Sequence, residues 1–194
     1  AKGFEEISPQ RKYHGISTQI IAQIKNVRVP FNVDIGVGDI IVPRAEERTI
    51  NTQLPDFEAP VIKTYSLEST IAEKFDAILQ RFELTGRMKD FYDIYYLSRT
   101  FDFEGEKLQS AIFETLQRRC TPYDRDSFKR VVALADDEDM QKRWKFFLKT
   151  IKDNTLEFSF VITEIQTFLE PVFDVIVNEK EWQNIWDTKV KGWR

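Results

Sequence analysis

Cysteine and histidine are almost absent, since Cys120 and His14 are the only ones in 194 residues. Intrachain disulfides are therefore excluded, and a zinc site built on thiolates or imidazoles has too few ligands. A bound metal would have to rest on carboxylates, which favours magnesium or manganese. Long apolar runs are missing too: none approaches the roughly 18 to 20 residues that span a bilayer. The opening AKGFEEISPQ also lacks the basic-then-apolar layout of a signal peptide. A cytoplasmic protein without a membrane partner is the expectation. There is no basic excess either, because 28 Lys and Arg stand against 32 Asp and Glu for a net charge of −4. No global field draws the chain to nucleic acid, so a nucleotide or RNA would have to bind a local patch. Neither GxGxxG nor GxxxxGK occurs, which removes the common glycine-rich phosphate loops.

What is present is apolar and aromatic. Hydrophobic residues make up 42% of the chain and include 16 Phe, enough apolar surface to offset chain entropy in one or two packed units. Residues 15–24 and 29–38 are rich in β-branched side chains and alternate in part with period two, so they read as an antiparallel pair joined by Lys25 to Arg28. Pro43, Pro55 and Pro60 mark a long irregular connection before a short strand at 61–65. Helical spacing then takes over. Ser66 can cap a helix whose Leu67, Ile71, Phe75, Ile78, Leu79 and Phe82 share one side, and Thr85-Gly86 ends it. Further helices are expected at 88–98, 106–119, 125–134, 137–152, 156–169 and 179–186. The fold class is α+β: an antiparallel strand portion packed on helices over residues 1–104, then an all-helical part over 105–194.

Three places can carry chemistry. On the first helix, Thr70, Lys74, Ala77 and Arg81 form a strip at i, i+4, i+7 and i+11. It suits phosphate, with an ammonium and a guanidinium separated by a small residue, or it is a solvated basic edge. On the second helix, Asp90 falls inside the apolar face of Phe91, Ile94, Tyr95, Leu97 and Ser98, with Asp93 one turn on. A carboxylate in that place needs a cation, and hairpin geometry offers Lys74 and Arg87. The pair is either a structural salt bridge between helices or part of a catalytic site. On the second strand, Asp34 lies on the open face with Asn32, Gly36 and Gly38, placed for a metal or nucleotide or simply beside a turn.

The run TYSLESTIAEKFDAILQRFELTGRMKDFYDIYYLSR over residues 64–99 resembles the signature of the AbiEii/AbiGii abortive-infection toxins, a Thr-x-x-x-Lys motif followed by Arg-x-Lys-Asp-x-x-Asp. The matching residues are Thr70 and Lys74, then Arg87, Lys89, Asp90 and Asp93. VDIGVGD resembles the family's acidic strand motif, with Asp34 as the metal-binding carboxylate and Asp39 following. The resemblance covers residues 30–99 and implies a nucleotidyltransferase that takes a nucleoside triphosphate with Mg2+ and passes a nucleotide to an RNA acceptor such as tRNA. It also implies a toxin–antitoxin setting with a cognate antitoxin protein. Lys74 and Asp90 are then the catalytic candidates, and Thr70, Arg81, Arg87, Lys89 and Asp93 the phosphate-binding ones. The family's first metal motif, Gly-Ser followed by Asp-x-Asp, has no counterpart: Gly-Ser is absent, and every Asp-x-Asp or Asp-x-Glu lies after Asp34. That motif is expected ahead of residue 1, and this chain alone is expected to be inactive. A protein- or RNA-binding helical module without chemistry and an inactive remnant are the alternatives.

Overall fold

The computed structural model describes residues 4–7, 15–36, 41–153 and 155–194. The chain divides into two compact units, residues 1–40 and 41–194.

In the first unit, β1 (Phe4–Ile7), β2 (Gly15–Ile24) and β3 (Val27–Gly36) form an antiparallel sheet in that order. The expected strand pair is there, with register running from Gly15 opposite Gly36 to Ile24 opposite Val27. Its turn is tighter than expected, Lys25-Asn26 alone, because Lys25 takes the left-handed conformation at φ 52° and closes the hairpin in two residues. Pro30 is tolerated within β3 because that strand is an edge, where a missing N–H breaks no ladder on the open side. Asp39, with Val37 and Gly38 of the same motif, lies outside the described residues.

The second unit begins with another antiparallel pair, β4 (Glu46–Thr49) and β5 (Val61–Thr64). The connection expected to be irregular thus contains a strand, one that the polar EERT sequence conceals because neither face is buried. Helices α1 (Leu67–Leu79), α2 (Met88–Thr100), α3 (Gly105–Arg119), α4 (Ser127–Ala133), α5 (Glu138–Thr150) and α6 (Phe158–Val177) follow. The α+β class holds, with 49% helix and 20% strand. Ser66 caps α1 as expected, its Oγ accepting from Ser69 N–H at 3.0 Å, and Asp137 caps α5 through Met140 N–H at 2.8 Å. Helix α6 does not stop before Pro171. An internal proline costs about 3 kcal/mol, and burial of Val172, Phe173 and Ile176 beyond it offsets that.

One core runs through the second unit from Ile71 to Trp186, and the expected division at 104/105 falls within this unit. Phe75 of α1 packs edge-on to Phe173 of α6, ring centres 5.7 Å apart, and Trp144 of α5 meets Phe158 at 5.3 Å. The segment expected as a helix over 179–186 is not one. Glu179 turns left-handed at φ 54°, and the chain then forms β7 (Ile185–Asp187) between β6 (Phe103–Glu104) and β8 (Gly192–Trp193). The part expected to be all-helical therefore ends in strands. The cause is tertiary: Trp186 is buried on Phe168 at 4.8 Å and its Nε1 donates to Ser98 O at 2.6 Å.

Candidate functional site

Helices α1 and α2 form a hairpin closed by Phe82–Leu84 in a short 3-10 turn and by Thr85-Gly86. Phe75, Ile78, Phe91 and Ile94 are buried along it. This packing fixes the rotation of both helices and turns Lys74 toward α2. Its Nζ lies 2.6 Å from Asp93 Oδ2 and 3.4 Å from Asp90 Oδ1. Asp90 is 3% exposed, and an unpaired carboxylate there would cost several kcal/mol. Arg87, at the N-terminus of α2, places Nε 2.8 Å from Asp90 Oδ2. That approach satisfies distance but not hydrogen-bond angle, so Oδ2 remains buried with no hydrogen bond. Lys89 completes the cluster at 2.7 Å from Asp93. Burial opposes ionisation of Asp93, but the hydrogen bonds from Lys74 and Lys89 outweigh it and hold that carboxyl below its usual range.

A cavity of about 330 Å³ opens beside these groups, lined by Tyr65, Thr70, Glu73, Lys74, Arg87, Asp90 and Arg119. Of the strip anticipated on α1, Thr70 and Lys74 face this cavity. Arg81 and Ala77 do not line it: α1 ends at Leu79, so Arg81 leaves the helical wheel, and Ala77 is buried. Asp93 reaches the cluster through Lys74, and Lys89 through Asp93, without lining the cavity.

Arg119 is the cation that sequence reasoning missed. It comes from the last residue of α3 and pairs with Glu73 and, at 3.2 Å, with Asp76. Asp76 is fully buried and also receives hydrogen bonds from Thr121 Oγ1 and, at 3.0 Å, from Gln80 Nε2. Burial pushes its carboxyl above the usual range despite these donors. The helical wheel sets Asp76 outside the apolar stripe of α1. It is buried only because α3 covers that side, a fact without a local signal.

Asp34 belongs to the hairpin unit. It is exposed on β3 and accepts a hydrogen bond from Ser17 Oγ, its register partner on β2, at 2.6 Å. Among the described residues, no three His, Cys, Asp or Glu converge as a group able to hold a metal ion. Asp90 and Asp93 already face cations. The described residues thus offer no such cluster around Asp34. Among the described residues, no helix is long and apolar enough to cross a membrane.

A family model described as "Nucleotidyl transferase AbiEii toxin, Type IV TA system" matches residues 2–182. No curated protein and no solved structure matches the chain.

Proposed function

The chain belongs to the AbiEii nucleotidyl transferase toxin family of type IV toxin–antitoxin systems, and on that premise we propose that the α1–α2 cavity binds the polyphosphate of a nucleoside triphosphate. The observation that carries this reading is the convergence of Lys74, Arg87, Arg119 and the Thr70 hydroxyl on one cavity that also holds Asp90. Lysine supplies a compact point charge and arginine a planar fork, the complementary means of holding phosphate oxygens. Thr70 Oγ1 donates its proton to Ser66 O at 2.9 Å, and would have to turn that proton toward the ligand to bind a phosphate oxygen.

The reaction in this reading, for a member of the family that also carries the first metal motif, is nucleotidyl transfer to an RNA hydroxyl, with tRNA as the acceptor class. The acceptor oxygen forms a bond to the α-phosphorus, the α–β bridging bond breaks, and pyrophosphate leaves. Asp90 is the candidate base for the acceptor proton in this reading, and its Oδ2, buried 2.8 Å from Arg87 Nε, would have to be released from that cation to serve. Lys74 neutralises triphosphate charge while Asp90 orients it. Magnesium, in keeping with its chemistry, would arrive on the triphosphate oxygens rather than in a cradle of these residues. A type IV setting also brings a cognate antitoxin as a partner.

Calorimetric titration of ATP into the chain at low salt tests the site. Heat is expected with wild type and not with Lys74→Ala. Equal heats for both, or none for either, would leave the cluster a structural salt-bridge network.

A further inference from the structure

The orientation of α5 is set by Met140, Trp144 and Leu148, all buried in the core. The opposite face carries Lys142, Lys145 and Lys149, which at about 100° per residue fall within an arc of about 60°, and Lys152 follows in the turn beyond the helix. Lys142 meets Asp139 at 3.1 Å and Glu138 at 3.9 Å, all three exposed. Among the described residues, Lys145, Lys149 and Lys152 have no ion-pair partner. This is a local cationic face on a chain of net charge −4. Phe146, with 72% of its surface exposed, lies about 40° beyond the Lys142 edge of that arc, four residues after Lys142 and three before Lys149. Neighbours at those spacings share a helix surface, so the ring borders the cationic face, next to Lys142 and Lys149.

We infer that this face of α5 binds a single-stranded segment of RNA, with phosphates on Lys142, Lys145, Lys149 and Lys152 and a base stacked on Phe146. The choice of RNA among polyanions rests on the nucleotidyl-transfer reading; the binding chemistry rests on the face itself. Cations that track a backbone, interleaved with an exposed aromatic ring that accepts any base, are how single strands are held without sequence readout. A membrane surface fits less well. A basic helix lying on lipid offers a broad apolar face to the acyl chains, whereas the apolar face of α5 is buried in the core. The position serves the reaction too. Arg143, on the same helix, donates from Nη1 to Thr85 O at 2.9 Å, and Thr85 Oγ1 accepts from the backbone N–H of Arg87 at 3.1 Å. The helix that carries the lysines therefore braces the loop that presents Arg87 to the cavity.

The test is fluorescence anisotropy of a short fluorescein-labelled oligouridine with the 194-residue chain across a salt series. The triple charge reversal Lys145→Glu, Lys149→Glu, Lys152→Glu is expected to weaken binding by about tenfold or more. It should also flatten the salt dependence by about two units of log–log slope, at about 0.7 per lost phosphate contact on a single strand. Phe146→Ala is expected to weaken binding several-fold with the slope unchanged, and Phe146→Tyr to bind like wild type, because stacking rather than charge is removed and restored. Unchanged affinity in the triple variant overturns the inference. So does loss of binding to phosphatidylserine-containing vesicles in these variants while oligouridine binding stays the same. ATP titration into the same proteins separates this surface from the cavity. If RNA binding is insensitive while Lys74→Ala still abolishes the ATP heat, the surface fails and the cavity stands. If RNA binding falls as expected with no ATP heat in wild type, the reverse holds.

Discussion

Lys74 sits closer to Asp93, at 2.6 Å, than to Asp90, at 3.4 Å, so its tighter partner is the outer of two carboxylates one helical turn apart. Asp93 therefore competes with any phosphate for the ammonium. Asp93→Asn is expected to strengthen ATP binding a few-fold at low salt, since losing one nearby negative charge is worth about 1 kcal/mol at partly exposed positions. Calorimetry with Asp93→Asn checks this, and weaker binding would mean that Asp93 positions Lys74 more than it restrains it.

Asp93, half-buried, and Asp76, fully buried, bring opposite pH dependence. The Asp93 carboxyl is held below the ordinary value of 3.8 by Lys74 and Lys89 against the effect of burial. Its stabilisation is present above that value and is lost as pH falls through the lower folded-state one. Asp76 is held above 3.8 by burial, so ionising it opposes folding, and that penalty disappears as pH falls through the raised value toward 3.8. Wild type should gain stability relative to Asp76→Asn between neutrality and about pH 4. Urea midpoints for both proteins over that range are the measurement. A difference that moves the other way would mean that the ion pair with Arg119 dominates.

Removing Arg119 leaves Asp76 buried with only neutral donors, Thr121 and Gln80. Arg119→Ala is expected to cost about 2 to 3 kcal/mol in chemical denaturation, somewhat less than a fully buried pair because the arginine is partly exposed. Arg119→Ala combined with Asp76→Asn should recover much of that loss. Additive losses in the double variant would show that Arg119 acts through Glu73 or the cavity rather than through Asp76.

Helix positions were legible where one face is apolar and a cap precedes it, as at Ser66. The Lys74–Asp90 contact was legible because two amphipathic helices joined by a short turn must face each other. Arg119 and Asp76 were not, because they lie 43 residues apart in the chain and meet only when α3 covers a side of α1 that its sequence marks as polar. The C-terminal strands were hidden for a related reason: Glu179 to Trp186 has helical composition, and the burial of Trp186 against Phe168 overrides it. β4 is exposed along its length and so carries no alternation to read.

Gly105 opens α3 against the C-terminal segment, its N–H donating to Asn184 O at 2.8 Å. A Cβ there would lie 2.6 Å from Asn184 O and would overlap the Trp182 ring. Backbone cannot yield as a flexible side chain does, so Gly105→Ala is expected to destabilise by about 1 to 3 kcal/mol. Thermal unfolding followed by tryptophan fluorescence reads it directly, with Ser110→Ala on the exposed side of α3 as the control. Equal midpoints for the two variants would mean that the Trp182 region is not packed on α3.

Turnover asks more of the chain than binding does. Phosphate recognition needs cations and hydroxyls, which Lys74, Arg87, Arg119 and Thr70 provide around one cavity. In the nucleotidyl-transfer reading, turnover also calls for carboxylates that hold the triphosphate's metal ion. The sequence contains no Gly-Ser with a following Asp-x-Asp ahead of Asp34, Asp90 and Asp93 face cations, and Asp34 holds a hydrogen bond from Ser17. The 194-residue chain is therefore expected to bind ATP weakly, with affinity falling as salt shortens electrostatic reach to about 8 to 10 Å, and to transfer no nucleotide by itself. Incubating it with triphosphates labelled at the α-phosphate, magnesium and total tRNA measures the second half of that expectation. Label in the RNA above the level given by Asp34→Ala would show that the residues present suffice, and that Asp34 serves the metal step without the missing motif.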